Sequence, residues 1–222
     1  QRISIAFSPT PIADQLIHMT WPEPCPLRYL LTGGDKLASF PPSGLPFILV
    51  NNYGPTENTV VSTWGSVPCN TESLGRLAPS IGMPLDNTFA YVLDERLALC
   101  PIGVPGELCV GGQNLARGYL HRPELTARSF ISNPFGPGRI YRTGDLVRLL
   151  PCGAYEFLGH VDDQLKIRGF RIEPGEIEAT LTCHPSVTEC AAVPAEYGND
   201  RRIVACLVSH DPDLSPEALR AH

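Results

Sequence analysis

The stretch Asn51-Asn52-Tyr53-Gly54-Pro55-Thr56-Glu57 decides how this chain is read. The apolar run Phe47-Ile48-Leu49-Val50 leads into it, and the β-rich run Thr59-Val60-Val61-Ser62-Thr63-Trp64 leads out. Apolar runs of this length between turn residues predict buried strands. Gly54-Pro55 fixes a bend, and around it stand side-chain amides, an aromatic ring, a hydroxyl and a carboxylate. A polar loop at a strand end is where α/β enzymes hold ligands. Taken alone it is equally a solvated turn whose Asn and Thr satisfy their own backbone. The rest of the chain must decide.

Before this loop, Ile3 to Phe7 predicts a strand, and Ile12 to His18 a helix with Pro11 at its start. Trp21 to Pro26 is a Pro-rich connector. Leu27 to Leu31 reads as a buried strand ending at Thr32-Gly33-Gly34, with Asp35 as the cap of a short helix broken at Pro41-Pro42. Strand, short helix and strand predict a parallel α/β layer over residues 1–67.

After Trp64 short β segments take over: Phe89 to Leu93, Glu107 to Gly111, Arg139 to Arg142, Asp145 to Leu150 and Ala154 to His160. They predict a small antiparallel barrel or sandwich over 68–162, with one helix from Glu124 to Phe130. From 163 to 222 a third texture is expected to be a small α+β domain. Pro174 to Leu181 opens with acids Glu176 and Glu178, strands follow at Val187 to Val193 and Ile203 to Val208, and a helix runs from Ser215 to Ala221.

Composition narrows the function. The net charge is −6 over 222 residues with no Lys/Arg run, so nucleic acid is not an expected partner. No apolar run reaches membrane-spanning length. The eight cysteines form no CxxC pair and predict free thiols in a reducing cytosol, hence a cytoplasmic location. There is no GxxxxGK[ST], GxGxxG or GxSxG; Gly33-Gly34-Asp35-Lys36 reads as a turn, and Gly106, Gly111 and Gly112 as strand bends. The first residues lack Met and a signal-peptide layout, so the chain is expected to be cut from a longer one.

Three further segments accompany the opening loop. They are Gly106 to Leu120 (ending Ala116-Arg117-Gly118-Tyr119-Leu120), Tyr141-Arg142-Thr143-Gly144-Asp145-Leu146, and Gly159 to Glu178. Singly, the second could be a hairpin turn and the third a charged face. Together and in this order they resemble the adenylation domains of nonribosomal peptide synthetases, within the adenylate-forming (AMP-binding) superfamily. Tyr53 to Glu57, Tyr141 to Leu146 and Lys166 to Gly169 carry the superfamily likeness. The Asn51 to Glu57 wording, Ala116 to Leu120 and Gly175-Glu176-Ile177-Glu178 carry the peptide-synthetase likeness.

The resemblance implies an α/β fold: the C-terminal half of the large adenylate-forming domain followed by an incomplete small domain. It implies the reaction of an amino acid with ATP to aminoacyl-AMP and pyrophosphate. Transfer to phosphopantetheine on a peptidyl carrier domain follows, with condensation domains as further partners. Asn51 would hydrogen-bond the adenine and Tyr53 stack on it. Thr56 and Glu57 would hold phosphates and Mg²⁺, a hard cation that prefers oxygen ligands. Asp145 would accept the ribose hydroxyls, Asp162 would be the hinge, Lys166 just beyond it would be a catalytic residue, and Gly169 would let the pantetheine arm pass. His160 stands where the family usually has an Arg that contacts the ribose. It is shorter and lacks the guanidinium fork, which predicts weaker nucleotide affinity.

Phe7, Leu31, Gly33, Asn52, Val60 and Val61 match the family's amino-acid pocket. Large apolar residues beside one glycine suit a branched aliphatic side chain and offer no charge to a charged one, resembling leucine-activating domains. Leu31, Val60 and Val61 are also readable as plain strand core. A hydrophobic pocket separates neighbours by only about 1–3 kcal/mol per methylene, so leakage to valine or isoleucine is expected. The family's phosphate loop, amino-group aspartate and late catalytic lysine have no counterpart in the chain, and the isolated fragment is expected to be inactive. An acyl-CoA or aryl-acid ligase of the same superfamily, or a non-catalytic binding module, are the alternatives.

Overall fold

The computed structural model describes residues 2–69, 78–161, 165–167, 170–172, 174–197, 200–211 and 214–221. Two compact units result, Gln1–Val161 and Asp162–His222.

In the first unit, β1 (Ile5–Pro9), β2 (Tyr29–Gly33) and β3 (Ile48–Tyr53) run parallel, and β4 (Thr63–Ser66) and β5 (Met83–Pro84) continue the sheet antiparallel. The register sets Phe7 beside Leu31 beside Val50, and Gly33 beside Asn52. Strand alternation sends Leu30 and Leu49 to the other face. There α1 (Thr10–Leu16), entered at Pro11, brings Ala13 into a core with the following Ile17, and with Leu27, Leu37 and Phe47.

The second sheet is antiparallel, ordered β10 (Tyr155–His160), β9 (Arg139–Leu149), β7 (Pro105–Gly112) and β6 (Thr88–Leu93), with β8 (Phe130–Ser132) also on β9. α2 (Pro123–Ser129) precedes β8, and a bridge between Gly82 and Tyr155 links β10 to the segment entering β5. Its core joins Val92, Leu108, Val110, Phe130, Tyr141 and Val147, with Tyr53 from the first sheet among them.

Four local expectations are corrected. No helix forms between Asp35 and Pro42: the Asp35 carboxylate caps only the Lys36 N–H at 2.7 Å, and Pro41-Pro42 closes the segment before one helical turn can propagate. β3 does not stop at Val50 but carries Asn51, Asn52 and Tyr53 within it. The exit run is not a strand from Thr59, because Thr59 and Val60 take left-handed φ of 53° and 71°; β4 begins at Thr63. Finally, Tyr141 to Leu146 is no hairpin turn. β9 runs through it, and three residues, Thr143 to Asp145, oppose only Leu108 of β7, with Gly144 at φ 70°. This is a β-bulge, a device that re-aims side chains.

In the second unit, β11 (Leu165–Ile167) and β12 (Phe170–Ile172) pair as a hairpin, then come α3 (Pro174–Thr182), the antiparallel pair β13 (Val187–Tyr197) and β14 (Asp200–Ser209), and α4 (Pro216–Ala221). Glu178 of α3 accepts the Ala192 N–H of β13 at 2.9 Å, and the Ser215 hydroxyl accepts the Ala218 N–H at 3.2 Å, capping α4.

Candidate functional site

The bulge in β9 presents Asp145. Thr143 locks it, donating its hydroxyl to the Leu108 carbonyl at 2.7 Å while accepting the Asp145 N–H at 3.0 Å. Glu107 closes the other side, taking the Gly144 N–H at 3.2 Å and pairing with Arg142 at 2.5 Å. The Tyr53 hydroxyl at the end of β3 donates to Asp145 Oδ2. His160 lies directly opposite Asp145 in the β9–β10 pairing, its Nδ1 2.5 Å from Asp145 Oδ1. That approach is an ion-pair distance without hydrogen-bond alignment. Burial first, and the Asp145 charge second, hold the Tyr53 phenol well above its ordinary pKa. It is therefore a donor at any physiological pH.

Glu57 sits in the 3₁₀ turn Thr56–Asn58. Its Oε1 accepts the Tyr119 hydroxyl at 2.5 Å and the Tyr141 hydroxyl at 2.8 Å, and the two phenol oxygens lie 3.3 Å apart. The Glu57 carbonyl also accepts the Ala116 N–H at 2.8 Å. Asn114 extends the clamp: its amide donates to the carbonyls of Asn58 at 3.3 Å and Val61 at 3.4 Å, and its own carbonyl takes the Thr59 hydroxyl at 2.7 Å. The segment after β7 thus fixes both the 3₁₀ turn and the left-handed residues that follow it. Thr56 is exposed beside Glu57.

Asn51 is buried, and its amide donates to the Ser80 carbonyl at 2.9 Å. Phe7, Leu31, Gly33 and Asn52 share one face of the first sheet, Phe7 beside Leu31 and Gly33 beside Asn52. A Cβ on Gly33 would lie 2.5 Å from the Asn52 backbone oxygen, so only glycine fits there. Val60 is 72% exposed and Val61 half-buried, both in the loop after the 3₁₀ turn; the reading of Val60 and Val61 as strand core is therefore overturned. Lys166 lies in β11 opposite Arg171. Asp162 and Gly169 are outside the described residues.

Among the described residues no group of three or more His, Cys, Asp and Glu is placed to hold a metal. Glu57 is a single carboxylate in a polar setting. That suits magnesium, which is bound through one or two carboxylates together with substrate phosphates rather than by an all-protein cage.

The residues that sequence reasoning missed are Asn114, Tyr119 and Tyr141. All three lie inside the segments singled out above, but their roles depend on contacts across 53 to 84 positions.

With this geometry in place, similarity to known proteins gives the class. The family described as AMP-binding enzyme matches residues 1–120, and the chain belongs to that family. Within it, the chain is similar to peptide synthetases. It is 54% identical over 213 residues to a linear gramicidin synthase polypeptide of Brevibacillus parabrevis, covering 94% of this chain and 3% of that protein. To bacitracin synthase 1 of Bacillus licheniformis it is 47% identical over 220 residues, covering 99% and 4%. A solved structure, the artificially fused adenylation–PCP di-domain synthetase NpsA-ThdA from Klebsiella oxytoca, superposes with a TM-score of 0.80 at 26% identity, covering 99% of this chain and 42% of that one. A second solved synthetase with adenylation and PCP domains gives 0.79 at 29% identity, covering 97% and 45%. The chain spans a few per cent of these synthetases and under half of the two solved structures.

Proposed function

We propose that this chain is part of an adenylation domain that activates an amino acid for nonribosomal peptide synthesis. In that reaction a carboxylate oxygen of the amino acid attacks the α-phosphorus of ATP, and the bond to pyrophosphate breaks. The thiol sulfur of phosphopantetheine on a peptidyl carrier domain then attacks the aminoacyl carbonyl, the acyl–phosphate bond breaks and AMP leaves; condensation domains of the same synthetase are further partners. The observation that carries the reading is that separated segments meet twice: the end of β3, the β9 bulge and β10 bring Tyr53 and His160 to Asp145, and Tyr119 and Tyr141 reach Glu57 in the 3₁₀ turn after β3.

In this reading Asn51 and Tyr53 receive the adenine, and Asp145 the ribose hydroxyls, with His160 beside it. Thr56 and Glu57 hold the phosphates and magnesium, the metal supplying positive charge where negative charge builds at the reacting phosphate. Oxygen donors on a 3₁₀ turn clamped from two directions suit that task, since a preorganised group need not be reorganised as the reaction proceeds. By resemblance, Asp162 is assigned as the hinge of the second unit's rotation between half-reactions, and Lys166, just beyond it, as a catalytic residue. Phe7, Leu31, Gly33, Asn52, Val60 and Val61 form the side-chain pocket, and leucine or another branched aliphatic amino acid is the proposed substrate. Supporting this, four of those residues share one sheet face, with no charged side chain among the six.

The test is amino-acid-dependent ATP–pyrophosphate exchange by the complete protein carrying this chain, over a panel of aliphatic, acidic and basic amino acids. Leucine or a branched neighbour is expected to give the highest rate. Preference for a charged amino acid would sink the pocket assignment, and efficient transfer to free CoA rather than to a carrier would favour an acyl-CoA ligase. The 222-residue chain alone is proposed to be inactive, and exchange by it would overturn that.

A further inference from the structure

We propose that Tyr119 and Tyr141 are positioning residues for Glu57, fixing its carboxylate for magnesium. This role presupposes the reading of Glu57 as the metal carboxylate. Glu57 Oε1 receives both phenols, at 2.5 and 2.8 Å, from two different elements of the second sheet's region. Hydrogen bonds to an ionised acceptor are about twice as strong as neutral ones. Two of them on one oxygen select a single rotamer of an otherwise flexible side chain.

The phenols are themselves held. The Tyr119 ring packs edge-on against Phe130 with centroids 5.5 Å apart, and Phe130 against the buried Tyr141 ring at 5.0 Å. The Tyr119 N–H donates to the Thr126 hydroxyl of α2 at 2.9 Å. Gly118 makes that approach possible: its φ is 141°, and a Cβ there would lie 2.3 Å from Thr126 Cγ2. The Arg117-Gly118-Tyr119 sequence therefore delivers a hydroxyl to a carboxylate 62 positions away. Groups that orient a metal-binding carboxylate typically change metal affinity or activity by 10–100-fold when removed.

Tyr119→Phe keeps the ring packing and deletes only the hydroxyl. In the complete protein carrying this chain, two quantities are measured: the magnesium dependence of pyrophosphate exchange, and calorimetric ATP affinity with magnesium and with EDTA. The half-saturating magnesium concentration is expected to rise roughly tenfold, with Mg·ATP binding weakened and metal-free ATP binding unchanged. An unchanged magnesium dependence, or equal weakening with and without metal, overturns the proposal, because a merely structural role would move both. If Tyr119→Phe does not fold, Tyr141→Phe is judged by the same two criteria. Glu57→Gln separates the layers. If it leaves the magnesium dependence at the wild-type value, the Glu57 assignment falls and the tyrosine role with it. If it shifts that dependence while the tyrosine variants do not, Glu57 stands and only the tyrosine role is lost.

Discussion

Past the carboxyl end of β3, the two sheets are joined through two carboxylates, Glu57 of the turn after β3 and Asp145 of β9. Tyr53 and His160 reach Asp145, and Tyr119 and Tyr141 reach Glu57. A few residues away, the face of β1 to β3 that carries Phe7, Leu31, Gly33 and Asn52 is shaped by strand alternation and by the room a glycine leaves. The first region is organised by hydrogen bonds between distant segments, the second by local register. The polar region should thus be unforgiving of single-atom changes, and the apolar face should tolerate changes of size while altering which side chain it admits.

The largest effect is expected at the polar region. Asp145→Ala removes the charged acceptor of a buried phenol and the neighbour of His160, and should destabilise the fold by about 1.5–3 kcal/mol. Leu31→Ala on the half-buried apolar face should cost only about 1 kcal/mol. Urea denaturation of both variants checks the pair, and equal costs would erase the contrast drawn here. Next comes Gly118→Ala, which forces a side chain into a left-handed residue packed on Thr126 and should cost about 1–3 kcal/mol in a thermal melt. A melt indistinguishable from wild type would mean that the Tyr119 segment is loosely held.

A third measurement varies pH. Burial pushes the Cys109 thiol in β7 up to about 12. Its folded-state value lies above the unfolded one, so the folded chain keeps the proton longer. The stabilising contribution is complete below about 8.5 and is lost as pH rises toward 12, at about 1.4 kcal/mol per pH unit. Cys109→Ala should flatten that part of the alkaline stability profile. In the wild-type protein at neutral pH, the exposed Cys69, Cys152, Cys183 and Cys206 should react with a thiol reagent while Cys109 stays protected. The smallest effect is at His160→Arg. Restoring the family's residue should tighten ATP binding a few-fold, about 0.5–1 kcal/mol. Unchanged affinity would show that His160 already does the work of the arginine.

Much of this was legible in the sequence because it is local. Apolar runs marked the strands, and their order with a short helix between gave the parallel layer, although that helix does not form; Pro11, Pro123 and Pro174 marked helix starts, and the four segments gave the family. The failures were also physical. Asn51 to Tyr53 read as loop because their side chains are polar, yet backbone pairing with Gly33 and Trp64 holds them in β3. Thr143-Gly144-Asp145 read as a turn because a bulge and a turn use the same residues, and only the opposing strand tells them apart. Val60 read as strand from its β-branched side chain, whereas the Asn114 clamp holds its neighbourhood in a conformation that propensity alone disfavours. Tyr119 and Tyr141 sat in view, but nothing local says that both point at Glu57.

The most direct measurement is a crystal structure of the complete protein with a non-hydrolysable aminoacyl-adenylate analogue. The account predicts the ribose hydroxyls within hydrogen-bond distance of Asp145, the adenine beside Tyr53 and Asn51, and the amino-acid side chain against Leu31 and Gly33. An analogue bound elsewhere, with Asp145 still engaged only by Tyr53 and His160, would contradict it.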